Sequence, residues 1–184
     1  ITQENEPQME WLKDWIAYTI QNPADKQQIA PVIVGGQGVG KSAFGNKFLP
    51  TLIGPLWGTA SPNIIDGKFN VGPFIDKMIV FVDEAKFHNE TGTDEVKKLI
   101  RSVEMPGMLK YGEGGTFRIF ARLVFASNHF DMSIGQSSVI DRALFYIKAW
   151  DAKSKQMTDA NFRAWTETLK PWLVEFYHFM DRHA

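Results

Sequence analysis

Two rhythms run through the hydrophobic positions of this chain. In EPQMEWLKDWIAYTIQN, Met9, Leu12, Ile16 and Ile20 recur at helical spacing, with Trp11, Trp15 and Thr19 beside them, and Asn22-Pro23 closes the predicted helix. Elsewhere the apolar residues form short unbroken runs, APVIV, MIVFV, RLVFAS and ALFYI, which predict strands buried on both faces. Between them lie helical patterns. AFGNKFLPTLIG should stop near Pro50 or Gly54, and TDEVKKLIRSVE carries Asp94 and Glu95 in its first turn, where the helix dipole favours acids. Residues 54–77, rich in Gly, Pro and Asn, read as loop. GMLKYGEGGTFRIF predicts a hairpin around Gly112-Glu113-Gly114-Gly115. From about Asp159 the chain reads as helical again, with a break at Pro171. Strands alternating with helices predict an α/β fold with a mainly parallel sheet between helices. The expected division is a helical segment over 1–30, a core over 31–150 and a second helical segment over 151–184.

Composition narrows this little. The 184 residues suffice for one domain with a sizeable core, and the net charge of −1 points to no partner. There is no cysteine, which excludes disulfides and thiolate metal sites and fits a reducing compartment. No run of ~18 apolar residues predicts a membrane span, and no signal peptide is visible. A start at Ile1 instead of Met suggests a piece of a longer protein.

The chemistry begins at VIVGGQGVGKS. Gly35-x-x-x-x-Gly40-Lys41-Ser42, between a predicted strand and a predicted helix, matches the phosphate-binding loop at every fixed position. To wrap a triphosphate, a loop must turn its amides inward and bring its backbone close, and glycine allows both. The cradle would comprise Gly35, Gly36, Gln37, Gly38, Val39, Gly40, Lys41, Ser42 and Ala43, with the dipole of the following helix aimed at the anion. Lys41 would reach the β- and γ-phosphates of ATP, and Ser42 would hold Mg²⁺. A Gly-rich turn before an ordinary helix is the plainer alternative.

About forty residues on, MIVFV ends in Asp83-Glu84. Asp83 could hold the Mg²⁺ water shell and Glu84 could take a proton from the attacking water. Alone, such a pair marks only the solvent edge of a strand. Asn128, after RLVFAS, would reach the same sheet edge and could bond the γ-phosphate or the lytic water, although Asn after a strand also serves as a turn residue. SNHFD resembles the guanine signature of GTPases. However, His129 replaces the lysine, and the glycine expected three residues after Asp83 is Lys86, so the GTPase reading fails twice.

Residues 97–122 hold six cations (Lys97, Lys98, Arg101, Lys110, Arg118, Arg122) against Glu104 and Glu113, a net +4 that leaves about −5 for the rest. A hairpin with Lys110 and Tyr111 on one side of its glycine tip and Phe117 and Arg118 on the other can grip a phosphate backbone and pack on a sugar or base. It is equally readable as a solvated hairpin.

In this order, GGQGVGKS, MIVFVDEA, a basic hairpin, LVFASN and DRALFYI resemble the superfamily 3 helicases of viruses and phages, nearest the helicase modules of poxvirus- and phage-type primase-helicases. The resemblance spans roughly Pro31 to Ile147. It implies an AAA+-like P-loop NTPase core with a β-hairpin insertion before the sensor strand. The ring would usually be hexameric, with ATP at the subunit boundaries. It places Lys41, Glu84 and Asn128 at catalytic positions, Ser42 and Asp83 at the magnesium, and Arg142 as a finger entering the neighbour's site. A salt bridge to Asp141 or Asp151 is the simpler role for Arg142. Lys110, Arg118 and, more weakly, Tyr111 become contacts to single-stranded DNA. A primase or polymerase domain in the same full-length chain, no membrane partner, and a location in the infected host's cytoplasm also follow from the likeness. The sequence departs from the family in having one arginine at 142 where relatives often have two. The hairpin match is the weakest part, and residues 1–30 supply little of the usual N-terminal portion.

The rival reading is a P-loop motor that packages DNA or remodels proteins. A small-molecule kinase lacks its lid-like arginine cluster. Trp11, Trp15, Trp165 and Trp172 read as core or subunit-contact aromatics. His178 and His183, five apart, are poorly spaced for a metal on one helix face, and His88 and His129 each follow a motif strand and could approach the nucleotide without serving as metal ligands.

Overall fold

Three of the four apolar runs become the middle of a parallel sheet, and the fourth, ALFYI, lies at its edge and is only partly buried. The computed structural model describes residues 6–62, 71–85, 90–108, 114–128 and 143–149. Its strands are β1 (Ala30–Val34), β2 (Trp57–Ala60), β3 (Ile79–Val82), β4 (Glu104–Met108), β5 (Gly114–Arg118), β6 (Arg122–Ser127) and β7 (Leu144–Lys148). The helices are α1 (Glu6–Gln21), α2 (Lys41–Ala43), α3 (Leu49–Ile53) and α4 (Glu90–Arg101). Five strands form one sheet in the order β2-β3-β6-β1-β7, every neighbour parallel. β4 and β5 pair separately as an antiparallel hairpin inserted before β6. The α/β class, the helix-flanked parallel sheet and the hairpin insertion are as expected.

Every residue of β1, β3 and β6 is buried, as strands covered on both faces require. The pleat sorts them. Ile33, Ile79, Phe81, Val124 and Ala126 face α1 and the helix after the phosphate loop, against Leu12, Trp15, Ile16, Phe44 and Leu49. Val32, Val34, Val80, Val82, Leu123 and Phe125 face α4 and the hairpin, against Val96, Leu99, Ile100 and Met105.

Several local expectations needed correction. In α1 the buried stripe is Leu12, Trp15, Ile16 and Thr19, with Met9 and Ile20 only half-buried. Of the two stops expected for the second helix, Gly54 is the one found, as the cap of α3, and Pro50 does not interrupt it. A π turn over Phe44–Phe48, closed by Leu49 N–H on Phe44 O, precedes α3, and Pro50 falls in the first turn of α3, where its missing N–H costs least. The 54–77 stretch contains β2, overlooked because WGTA is short and holds a glycine. α4 begins at Glu90, so Asp94 and Glu95 lie beyond its first turn. The hairpin ladder runs from Glu104↔Arg118 to Met108↔Gly114, so Gly114 and Gly115 belong to a strand. The expected C-terminal helix, with Trp165, Trp172, His178 and His183, lies outside the described residues, as do His88 and His129. Among the described residues no helix is long and apolar enough to cross a membrane.

Candidate nucleotide-binding site

Because β6 lies between β1 and β3, the carboxyl ends of all three strands open side by side where the chain order switches, the place where open α/β sheets take ligands. β1 runs into the glycine loop. Gly38 and Gly40 hold φ of 84° and 94°, a left-handed backbone that a side chain would strain. Gly40 caps α2 and its carbonyl accepts the Phe44 amide at 2.9 Å, so the helix starts at Lys41. Lys41 is buried and curls over its own loop, its Nζ donating to Gly35 O at 2.7 Å and Gly36 O at 2.6 Å. Burial lowers its pKa, and the nearby Asp83 carboxylate opposes that shift.

β3 ends at the two acids. The Ser42 hydroxyl donates to Asp83 Oδ2 at 2.7 Å, and the Glu84 amide donates to Asp83 Oδ1 at 3.0 Å. Glu84 has φ of 54°, rare for a residue with a side chain. This twist lets the next amide, Ala85, rejoin the sheet on Ala126 O at 2.9 Å, while the Glu84 side chain stays exposed. Such a conformation costs about 1–3 kcal/mol and recurs at functional sites. Asn128 follows β6 directly. Gln37, Gly38, Gly40, Lys41, Ser42, Ala43, Asp83, Glu84 and Asn128 together line one cavity of about 330 Å³.

The donor set suits magnesium. Ser42 and Asp83 bring a hydroxyl and a carboxylate oxygen together, both hard ligands. Among the described residues no group of three or more His, Cys, Asp or Glu could hold a metal by itself. That fits an ion whose remaining ligands are water and substrate phosphates.

The remaining predicted residues do not gather here. Lys110, Tyr111 and Arg142 lie outside the described residues. Arg118 sits at the base of the hairpin, not beside its tip, with its guanidinium over the Phe120 ring at 5.3 Å. Arg122, counted among the basic segment's cations, is 2% exposed and belongs to the interior. The sequence reading also missed Gly45. A Cβ there would lie 2.2 Å from the Phe81 ring, and its carbonyl, inside the π turn, accepts the Trp57 indole N–H at 2.8 Å. These contacts seat the helix that carries Lys41 and Ser42 against the sheet. A glycine within an otherwise helical pattern was the available signal.

The fold and the loop–acid arrangement are those of a P-loop NTPase-like core. The chain belongs to a family of unknown function, DUF5906, whose model matches residues 33–142. No curated protein matches it. Among solved structures, the apo NrS-1 C-terminal region (305–718) superposes with a TM-score of 0.72 at 18% identity, over 90% of this chain and 40% of that one. An A-form apo structure of the same region gives 0.71 at 16% identity, over 94% and 42%. NtrX from Brucella abortus, in complex with ATP, gives 0.50 at 10% identity, over 79% and 37%. The chain thus spans about two fifths of the length of these solved chains. At such identities the likeness is one of fold.

Proposed function

We propose that this domain is an ATP-driven motor of the superfamily 3 helicase type, which hydrolyses ATP at the subunit boundaries of a ring and moves along single-stranded DNA during viral or phage replication. The observation that carries this reading is the convergence of Lys41, Ser42, Asp83, Glu84 and Asn128 on one cavity at the carboxyl edge of the sheet. The ATP complex of the distant NtrX fold supports nucleotide as the ligand class.

In this reading the loop amides and Lys41 bind and orient the triphosphate, the ammonium leaving the Gly35 and Gly36 carbonyls for phosphate oxygens. Mg²⁺, held through Ser42 and Asp83, would neutralise charge on the β- and γ-phosphates. Glu84, exposed beside the cavity, accepts a proton from the attacking water. Asn128 positions that water or the γ-phosphate. Arg142 of a neighbouring copy supplies positive charge to the transition state. The hairpin formed by β4 and β5 meets DNA, with Lys110 and Tyr111 toward its tip and Arg118 nearer its base. Hexamer formation and a primase or polymerase domain elsewhere in the full-length chain belong to the same proposal.

The test is steady-state ATP turnover with and without single-stranded DNA, on samples of known oligomeric state, beside calorimetric titration with Mg-ATP. Turnover should rise with protein concentration and with DNA. Absence of both Mg-ATP heat and ADP competition would overturn nucleotide binding. Turnover that single-stranded DNA never stimulates would replace the helicase reading with a packaging or remodelling motor.

A further inference from the structure

At the opposite edge of the sheet, two buried cations lie within the connection between α1 and β1 and at the start of β6. Lys26 is 7% exposed and Arg122 2%. Among the described residues no Asp or Glu is buried with them. Their partners are backbone carbonyls. Arg122 donates to Pro23 O at 3.0 Å and to the carbonyls of Asn22 and Asp25, just past the end of α1. Lys26 Nζ donates to Leu99 O at 2.7 Å, Ser102 O at 2.9 Å and Ile119 O at 3.1 Å.

The second set has a mechanical meaning. An ammonium has three protons, and these three carbonyls take one each. Leu99 and Ser102 are at the carboxyl end of α4, where unpaired carbonyls and the helix dipole favour a cation. Ile119 is the first residue after β5. Its amide bonds Val103 O at 2.7 Å and closes the neck of the hairpin. One buried side chain therefore ties the end of α4 to both strands' common base. α4 is also the helix that follows the Asp83–Glu84 turn in the chain. Beyond the neck, the hairpin is held by Val71 N–H on Met108 O at 3.2 Å and by Met105 and Phe117 against the core.

We propose that Lys26 is the positioning residue of the hairpin: it fastens the β4–β5 neck and the carboxyl end of α4 to the α1–β1 connection, which Arg122 bonds to β6, so that the hairpin keeps one orientation relative to the sheet. This rests on the motor reading only for its consequence in DNA-dependent turnover. The clip itself is tested separately.

The experiment compares the wild-type chain with Lys26→Met, which keeps the apolar stem and removes all three donors. Lys26→Gln, which retains two amide protons, serves if the methionine variant does not fold. Hydrogen–deuterium exchange is read in peptides covering 98–104 and 117–122, and turnover is read with and without single-stranded oligothymidylate. The expected result is exchange about tenfold faster at the neck with β1 and β3 unchanged. Basal turnover and the KM for ATP should stay within about twofold, and DNA stimulation should fall to near unity. Wild-type exchange at the neck, or a loosened neck with DNA stimulation intact, would overturn the proposal. Uniformly faster exchange across the sheet would also overturn it, because Lys26 would then be a general stabiliser. A wild type that DNA never stimulates removes the motor reading, and the exchange arm still decides whether the clip exists.

Discussion

The two edges of the parallel sheet solve opposite problems with the same strand. β6 begins at Arg122, sealed in the interior, and ends beside Asn128, exposed at the cavity. At the carboxyl edge the polar contacts include a side-chain pair, Ser42 with Asp83, and a lysine resting on its own loop. A phosphate or a cation can take over such contacts at little cost, because the partners remain solvated or flexible. At the amino edge Lys26 and Arg122 are bonded to six backbone carbonyls. Such contacts are costly to open where they are buried, as at Leu99 O and Ile119 O, each of which would lose its ammonium donor. Exchangeable bonds mark the edge that does chemistry, and fixed bonds mark the edge that holds the elements in place.

If the edges are separable, single substitutions should affect one property each. The largest effect is expected at Glu84→Gln. Loss of the proton acceptor should lower turnover by about 10³-fold, while the melting temperature and Mg-ATP affinity stay near wild type, because the Glu84 side chain is exposed and its fixed contact is through its amide. A comparable loss of affinity would assign Glu84 to binding instead.

Arg122→Met should do the reverse. It removes the guanidinium donors from the carbonyls of Asn22, Pro23 and Asp25, of which Asn22 O keeps the Asp25 amide, and should cost about 3 kcal/mol in urea denaturation. Part of that loss is offset because the Arg122 Nε is itself buried with no acceptor. Nucleotide affinity per folded molecule should not change. If it falls tenfold, the edges are coupled through β6.

Gly45→Ala probes the seam between the edges. The added methyl meets the Phe81 ring, and the nearest contact is with a rigid aromatic side chain, so overpacking of about 2 kcal/mol is expected. The same helix carries Lys41 and Ser42, so ATP affinity should fall as well, which neither preceding variant should show in combination with lost stability. Phe81→Leu in the same chain should restore part of both losses, read as a non-additive double-mutant cycle.

The unequal legibility of these regions has a physical basis. β1, β3 and β6 were readable because strands in the middle of a parallel sheet need continuous apolar runs, and β7, at the edge beside β1, was readable because LFYI is apolar throughout. β2 was not, since among the described residues it is also an edge strand, paired with β3, and its four residues, WGTA, carry a glycine and no apolar run. The phosphate loop and its acids were readable because their chemistry fixes residue type and spacing. The amino edge was silent. The acceptors of Lys26 and Arg122 are carbonyls 73 to 100 positions away, and a carbonyl has no residue-type signature. Arg122 therefore looked like one more surface cation. The hairpin tip was misplaced because three near-consecutive glycines, Gly112, Gly114 and Gly115, do not say which of them turn and which pair.

The smallest predicted effect isolates Lys26 by pH. Burial, reinforced by the neighbouring Arg122 charge, lowers its pKa to about 8 from the ordinary 10.5. The folded chain therefore releases this proton before the unfolded chain does. Between the two values the unfolded state holds more protons, so stability rises with pH. Below about 8 both states are protonated and the cost of burying the charge is constant. Lys26→Met lacks the group, and the other titrations largely cancel when the two proteins are compared. The stability of wild type minus that of the variant should therefore climb by about 1 kcal/mol between pH 8 and 9. Denaturant midpoints across that range measure it, and a flat difference would mean that Lys26 is not held in a desolvated site. Repeating the series with Mg-ATP and with Mg-ADP sharpens the comparison of the two edges. A clip that stays fixed keeps the same surroundings in both nucleotide states, so the step should stay at the same pH. A step that shifts with nucleotide would mean that the carbonyls of Leu99, Ser102 and Ile119 part from Lys26 during turnover, and the amino edge would then be a moving part.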